Sequence, residues 1–168
     1  PAPEKITDAI YAYSQTIRSY DILECADANL SSLGITTVGD AAIEIIDSVA
    51  DYVVLMQKLF DFDAIRALFQ SGFTMRFDAM HAVTGPYAHK IFEDILGAPK
   101  GTVVNGTPLT DFGGHHPDPN LVHAHELYEL MMSDAAPDFG AASDGDGDRN
   151  LVIGRGMPVA PSDALAVL

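Results

Sequence analysis

The chain has 168 residues, of which 48% are hydrophobic, and its 24 acidic residues outweigh nine basic ones to give a formal net charge of -15. So acidic a chain repels the phosphate backbone of nucleic acids, which excludes non-specific nucleic-acid binding. No apolar run approaches the roughly 20 residues of a transmembrane helix, so we expect no membrane insertion. Cys25 is the single cysteine and has no disulfide partner in the chain, so a reducing cytoplasm is the simplest compartment.

Helical periodicity dominates the first part of the chain. Apolar residues spaced three and four apart predict an opening helix that ends near Tyr20. The stretch from Asp21 to Asp40 has no sustained period and is predicted to be a loop or an interdomain passage. A short strand at Ile43 to Ile45 follows, and then two helices, from Val49 to Phe60 and from Asp61 to Phe69.

Strands and helices alternate in the second part. The predicted elements are a strand at Met75 to Ala79, a helix from Thr84 to about Leu96, a strand at Val103 and Val104, a helix from Asn120 to about Ser133, and strands at Phe139 to Ala142 and Leu151 to Ile153. This order predicts an α/β fold, a three-layer sandwich with a mixed, mostly parallel sheet and helices on both faces. The last two strands are predicted to form an antiparallel hairpin. Ligands of such sheets bind beyond the carboxyl ends of the strands.

The connection between those last two strands carries three aspartates at alternate positions. Asp144, Asp146 and Asp148 are separated only by glycines, and Arg149 follows at once. Three carboxylates in five residues repel one another unless a cation neutralises them, and oxygen ligands favour Mg²⁺ or Ca²⁺ over Zn²⁺. Glycine lets the backbone curl until the side chains converge. The fixed planar charge of Arg149 suits a phosphate oxygen. We therefore predict a hard-metal site beside a phosphate contact.

Three alternatives compete with that interpretation. A plain Asp-Gly turn explains one such dipeptide, but it does not explain two in tandem and a third aspartate. A calcium EF-hand does not fit, because positions six and twelve from Asp144 are Arg149 and Arg155 instead of glycine and glutamate. Zinc binding by the nearby histidines is disfavoured, because His123 and His125 would face different directions on the predicted helix. A non-catalytic module that binds Mg²⁺ or Ca²⁺ stays open.

The turn from Gly113 to Pro119 lies ahead of the helix predicted from Asn120. In one interpretation Asp118 simply caps that helix. In the other, the turn folds beside the metal loop and Asp118 accepts hydrogen bonds from Arg149, which fixes the direction of the guanidinium. On the second interpretation Asp118 and His116 are candidate supporting residues of the site.

Several segments together resemble the phosphoglucomutases of the α-D-phosphohexomutase superfamily. They are Asp111 to Asn120, Asp138 to Ala142 and the aspartate run, and the similarity extends over nearly the whole chain except Asp21 to Asp40. The resemblance implies a four-domain enzyme that interconverts glucose 1-phosphate and glucose 6-phosphate through a phosphoserine and a bisphosphorylated intermediate. It also implies that Asp144, Asp146 and Asp148 hold Mg²⁺ against the phosphoserine, and that Arg149 contacts the reacting phosphoryl group.

The same resemblance implies how the chain is divided. Residues 1–42 correspond to the tail of a first domain, residues 43–160 to a second, metal-binding domain, and residues 161–168 to the start of a third. We expect a piece of a longer protein, inactive alone, whose phosphoserine lies upstream and leaves no catalytic residue in these positions. The expected partners are a phosphosugar and the other domains of the same chain. A phosphomannomutase-like enzyme stays open, because the residues that select the sugar lie elsewhere.

Overall fold

The computed structural model describes residues 2–167 and divides the chain into two compact units, with the division after Asp47. The first unit contains helix α1 (Glu4–Ser14) and a hairpin of strands β1 (Gly34–Val38) and β2 (Ala41–Ile45). The opening helix is therefore shorter than predicted. The hydroxyls of Ser14 and Thr16 donate to the carbonyl oxygens of the preceding turn, which competes with continuation of the helix.

The loop predicted from Asp21 to Asp40 contains strand β1, so that prediction was wrong over its last residues. Residues 35–38 are all β-branched, and they pair antiparallel with β2, in register from Gly34 opposite Ile45 to Val38 opposite Ala41. A short strand of this kind forms because its partner follows directly across a turn at Gly39, which has φ +57°. The boundary predicted after Ala42 falls inside β2, whereas the two compact units divide after Asp47.

The second unit holds the remaining elements. Its helices are α2 (Ala50–Leu59), α3 (Phe62–Gln70), α4 (Thr84–Ala88), which continues as a π-helical segment (His89–Ile95), a 3₁₀ turn (Phe112–Gly114), α5 (His125–Met131) and α6 (Pro161–Val167). Its strands are β3 (Met75–Asp78), β4 (Val103–Val104), β5 (Phe139–Ser143), β6 (Asn150–Gly154) and β7 (Met157–Val159). No helix formed by residues 2–167 has the length and apolar character needed to cross a bilayer.

The five strands of the second unit form one mixed sheet in the order β4-β3-β5-β6-β7. Strands β4, β3 and β5 are parallel, and β6 and β7 extend the sheet in antiparallel fashion. Phe77 packs on Phe92 of the π-helical segment, and Gly140 lies on the opposite sheet face against Met131 of α5. Helices thus cover both faces, which confirms the predicted α/β sandwich and its antiparallel hairpin. The main buried cluster is Met80, Ala124, Leu127, Met131, Ala142, Leu151 and Ile153.

The helix predicted from Asn120 begins later, at His125, and Asp118 does not cap it. Instead the side-chain oxygen of Asn120 accepts hydrogen bonds from the backbone N–H groups of Val122 (2.8 Å) and His123 (3.0 Å). This side-chain turn uses the donors that a helical turn would need, so regular helix starts only after it. Asp118 is left free for other contacts.

Glu93, on the π-helical segment, is a buried carboxylate that ties this segment to strand β4. Its oxygens accept hydrogen bonds from the backbone N–H of Gly101 (2.9 Å) and Val103 (3.1 Å), and one lies 3.1 Å from Nδ1 of His89. Burial alone raises the pKa of Glu93, but the hydrogen bonds from Val103, His89 and Gly101 hold it below its ordinary value.

Candidate metal and phosphate site

The aspartate run occupies the connection between β5 and β6, at the carboxyl edge of the parallel strands. The last paired residues of the hairpin are Ser143 and Asn150, so Asp144 to Arg149 lie just beyond the sheet. The hydroxyls of Thr84, at the start of α4, and Ser143 lie 2.6 Å apart and share a hydrogen bond. This contact joins the first turn of a helix to the residue that immediately precedes the loop.

The three aspartates converge as the sequence predicted they should. One carboxylate oxygen from each of Asp144, Asp146 and Asp148 lies within 4.8 Å of the other two. Their environments differ, because Asp144 is 1% exposed whereas Asp146 and Asp148 lie at the surface. The cluster therefore has one buried acid at its base and two accessible acids above it.

Asp144 organises the loop through three hydrogen bonds. Its Oδ1 accepts from the backbone N–H of Gly147 (2.9 Å) and of Arg149 (3.1 Å), and its Oδ2 accepts from Nε of Arg149 (2.8 Å). Burial raises the pKa of Asp144, but the hydrogen bonds from Arg149 and Gly147 together lower it by more, so the net pKa lies below its ordinary value. Asp144 is thus a carboxylate held in its charged form by the loop that it shapes.

Asp148 shows the electrostatic strain of the cluster. The negative charge of Asp146 raises the pKa of Asp148, and Asp144 raises it further. Like charges at this separation disfavour one another's ionised forms. A divalent cation among the three carboxylates would remove this repulsion, so the donor set and its charge both fit a hard metal ion.

Arg149 lies between the aspartate loop and the 113–119 turn. Besides its Nε bond to Asp144, its Nη1 donates to Oδ1 of Asp118 at 3.0 Å, and 62% of the side chain is exposed. The other oxygen of Asp118 accepts from Nδ2 of Asn120 at 2.8 Å. The hydrogen bond between Arg149 and Asp118 is the one that the sequence suggested; its role in activity stays a prediction. Two carboxylates therefore fix the guanidinium while leaving much of it accessible.

Glycine is required at one position of the loop in particular. Gly147 has φ +83°, and a Cβ there would lie 2.7 Å from Cγ2 of Thr84. Gly145 has more room, because its nearest neighbours would be Phe112 and Pro117 at 3.5 Å. The loop thus packs between the start of α4 and the segment that contains Asp118.

His116 is not part of the cluster formed by Asp144, Asp146 and Asp148. Its ring stacks on that of His123, with centroids 4.5 Å apart and planes inclined by 16°. The prediction that disfavoured a histidine metal site placed His123 on a helix, which was wrong because α5 begins at His125. Thr84 and Ser143 were not predicted as loop supports, because their pairing joins residues far apart in the sequence and leaves no local pattern.

Comparison with known proteins identifies relatives of the chain. The profile described as "Phosphoglucomutase/phosphomannomutase, alpha/beta/alpha domain II" matches residues 50–156. A phosphoglucomutase of Rhizobium radiobacter is 62% identical over the whole chain, which covers 31% of that protein, and a chloroplastic phosphoglucomutase of Arabidopsis thaliana is 53% identical, with 27% covered. The crystal structure of parafusin (pp63), a phosphoglucomutase from Paramecium in an open form, superposes with a TM-score of 0.85 at 45% identity, over 99% of this chain and 32% of that one.

The chain thus spans about 30% of the length of the curated relatives that it matches. On the strength of the profile match and the structural superposition, the chain belongs to the phosphoglucomutase/phosphomannomutase family and contains its α/β/α domain II.

Proposed function

We propose that this chain supplies the metal-binding domain of an enzyme that interconverts glucose 1-phosphate and glucose 6-phosphate, through a phosphoserine and a bisphosphorylated intermediate. The observation that carries the proposal is the convergence of Asp144, Asp146 and Asp148 beside a fixed arginine, in a domain whose relatives are named phosphoglucomutases. In this proposal the three aspartates hold Mg²⁺ and Arg149 contacts the phosphoryl group that is transferred.

The donor set favours Mg²⁺. All three ligands are carboxylate oxygens, and two of them are exposed, which leaves room for the water molecules and substrate oxygens that Mg²⁺ retains in proteins. Bound there, the ion would act as a Lewis acid on a phosphoryl oxygen. Asp144 contributes in a second way, because its three hydrogen bonds hold the loop in shape without an ion.

Arg149 supplies charge at a defined position. Asp144 engages its Nε and Asp118 engages its Nη1, so the guanidinium plane is fixed before a substrate arrives. In phosphoryl transfer the protein mainly positions groups and stabilises charge on the phosphoryl oxygens. A restrained arginine next to a metal loop provides both, and Asp118 acts through Arg149 as a positioning residue.

The other parts of the catalytic apparatus belong to residues outside this chain in the proposal. We assign residues 1–42 to the tail of a first domain, 43–160 to the second domain and 161–168 to the start of a third. The nucleophilic serine and the residues that select the sugar then come from the other domains. The cytoplasm stays a prediction based on the lone cysteine, since several plant relatives are named as chloroplastic.

A phosphomannomutase-like activity is the second candidate. The description of the family names both activities, and residues 2–167 carry no site that we assign to sugar selection. The named relatives at 44% to 62% identity are phosphoglucomutases, which favours glucose phosphates. Assays with glucose 1-phosphate and mannose 1-phosphate side by side would separate the two.

The test of the proposal is an isomerase assay on the protein at its full native length, with glucose 1-phosphate over a range of Mg²⁺ concentrations. Asp146→Asn should lower turnover by roughly two orders of magnitude and remove its dependence on Mg²⁺, because an interaction that stabilises transition-state charge is lost. Asp134→Asn is the matched control: it removes the same charge from another exposed aspartate. If both variants kept the activity and the Mg²⁺ dependence of the wild type, the metal assignment would be wrong.

A further inference from the structure

Most of the histidines of this chain surround one cavity at the carboxyl edge of the sheet. The cavity has a volume of about 340 Å³, and residues of the β3–α4 connection, the β4 exit and the irregular segment before α5 line it. Its titratable lining includes the buried Asp78 and five of the six histidines: His81, His115, His116, His123 and His125. None of the three aspartates of the metal loop belongs to this lining.

Two histidines of this lining, His116 and His123, lie close to the carboxylate of Asp118, which is not part of the lining. One ligand atom from each of His116, Asp118 and His123 lies within 4.8 Å of the other two. The two imidazole rings stack with their centroids 4.5 Å apart. The three residues therefore bring two ring nitrogens and a carboxylate oxygen close enough together to share one ion.

The ring nitrogens of His116 and His123 are uncommitted. Among residues 2–167 neither ring makes a hydrogen bond or an ion pair. By contrast, Nδ1 of His81 lies 3.1 Å from the carbonyl oxygen of Thr107, and Nε2 of His125 lies 3.1 Å from a carboxylate oxygen of Glu129. Stacked, solvent-accessible imidazoles without partners retain the lone pairs that a metal needs.

The chemistry of this set differs from that of the aspartate loop. Imidazole nitrogen with one carboxylate suits Zn²⁺ and similar transition-metal ions, whereas Mg²⁺ takes oxygen ligands. Each oxygen of Asp118 accepts one hydrogen bond, from Arg149 and from Asn120, and a carboxylate has about four acceptor sites, so it retains capacity for a cation. Ligand atoms that lie within 4.8 Å of one another can reach bonding distances of about 2.0–2.2 Å from a shared ion once the two stacked rings rotate out of their parallel arrangement, because the lone pair of a ring nitrogen lies in the plane of its ring.

We propose that His116, Asp118 and His123 form a binding site for Zn²⁺ or a chemically similar transition-metal ion, separate from the aspartate loop. Three protein ligands leave the fourth tetrahedral position to water. The ion ties the two ends of the irregular segment that precedes α5. One of its ligands, Asp118, also accepts the hydrogen bond from Nη1 of Arg149.

The test is a calorimetric titration of Zn²⁺ into the full-length protein in a large excess of Mg²⁺, which saturates the aspartate loop. We expect one Zn²⁺ to bind the wild type, and His116→Gln and His123→Gln each to weaken that binding by tenfold or more. His125→Gln, which removes another histidine of the same cavity, should leave the affinity unchanged. Asp146→Asn should also leave it unchanged, so the zinc site can be judged whatever becomes of the proposed mutase activity.

Absence of Zn²⁺ uptake by the wild type in excess Mg²⁺ would overturn the proposal. So would wild-type affinity in both His116→Gln and His123→Gln, or an equal loss in His125→Gln, which would point to diffuse binding by surface histidines. Each variant is first checked by urea denaturation without zinc. Because both rings are exposed and touch each other only by stacking, without a hydrogen bond, the denaturation midpoint should lie close to that of the wild type.

Discussion

Replacing Gly85 with alanine tests how closely the start of α4 packs against the backbone of Gly106. A Cβ at Gly85 would press on the carbonyl oxygen of Gly106 and lie 2.5 Å from its carbonyl carbon. Gly106 is itself closely packed, because a Cβ built on it would lie 2.7 Å from Cδ2 of His89 and 3.1 Å from Cγ1 of Val103. The added methyl group of Gly85→Ala would therefore clash with backbone atoms of a closely packed segment, and not with the end of a flexible side chain.

The expected change in the free energy of unfolding on Gly85→Ala is the sum of two opposing effects. Alanine in a helix is favoured over glycine by about 0.5–1 kcal/mol. Overpacking of a close-packed site costs about 1–3 kcal/mol, and contact with immobile backbone places Gly85→Ala at the upper end of that range. We expect a net loss of about 2 kcal/mol in the free energy of unfolding. Because α4 begins with Thr84, which hydrogen-bonds Ser143 beside the aspartate loop, Mg²⁺ affinity should fall as well.

The assay is urea denaturation, with the slope on denaturant concentration compared between variants so that a shift of midpoint can be assigned to stability. Gly154→Ala is the matched control, since its φ is not positive and its Cβ would have no neighbour closer than Met157 O at 3.6 Å. That control should stay within about 0.5 kcal/mol of the wild type. A Gly85→Ala protein as stable as Gly154→Ala would refute the packing described for this helix.

Three further predictions concern other contacts. Glu93→Gln should lower the free energy of unfolding by about 1–3 kcal/mol at neutral pH. Because the folded-state pKa of Glu93 lies below its unfolded value, the stability advantage of the wild type is complete above the unfolded pKa and should shrink as the pH falls through the folded pKa. Urea denaturation of both proteins at several pH values would test this. Asp118→Asn should lower turnover by about tenfold while Mg²⁺ affinity stays unchanged, and unchanged turnover would count against its positioning role. Gly147→Ala should weaken Mg²⁺ binding measured by calorimetry, because of its φ of +83° and its proximity to Thr84, whereas Gly145→Ala should not.

The sequence predicts the elements of the second unit well where periodicity is strong. Strands β3, β5 and β6 and the hairpin around the aspartates follow from alternating or continuous apolar residues. Elements that depend on tertiary partners are missed. Strand β7, which is short and lies at the sheet edge, was not predicted. A helix from Thr84 to about Leu96 was predicted, but not its π-helical part, which contains the buried Glu93 and its hydrogen bonds from residues later in the chain.

The geometry of the candidate site could also be predicted only in part from the sequence. The clustering of Asp144, Asp146 and Asp148 could be predicted from their spacing, because the glycines between them let the backbone curl until the three side chains converge. The split into one buried and two exposed acids does not follow from spacing, since it depends on which face of the loop meets the sheet. Likewise, the stacking of His116 on His123 requires a side-chain turn at Asn120 in place of the expected helix.

That split between the acids has a mechanistic consequence. Three like charges would drive an unliganded loop open, yet Asp144 receives two backbone N–H groups and the Nε of Arg149, all from within the loop. The buried acid is therefore neutralised by the loop itself, and the repulsion that is left falls on Asp148, whose pKa is raised chiefly by Asp146. An incoming cation meets a loop that is already folded and two exposed acids whose mutual repulsion it relieves, so little ordering has to accompany binding. Arg149, held by the same buried carboxylate, is placed by that fold before any ion or phosphate arrives.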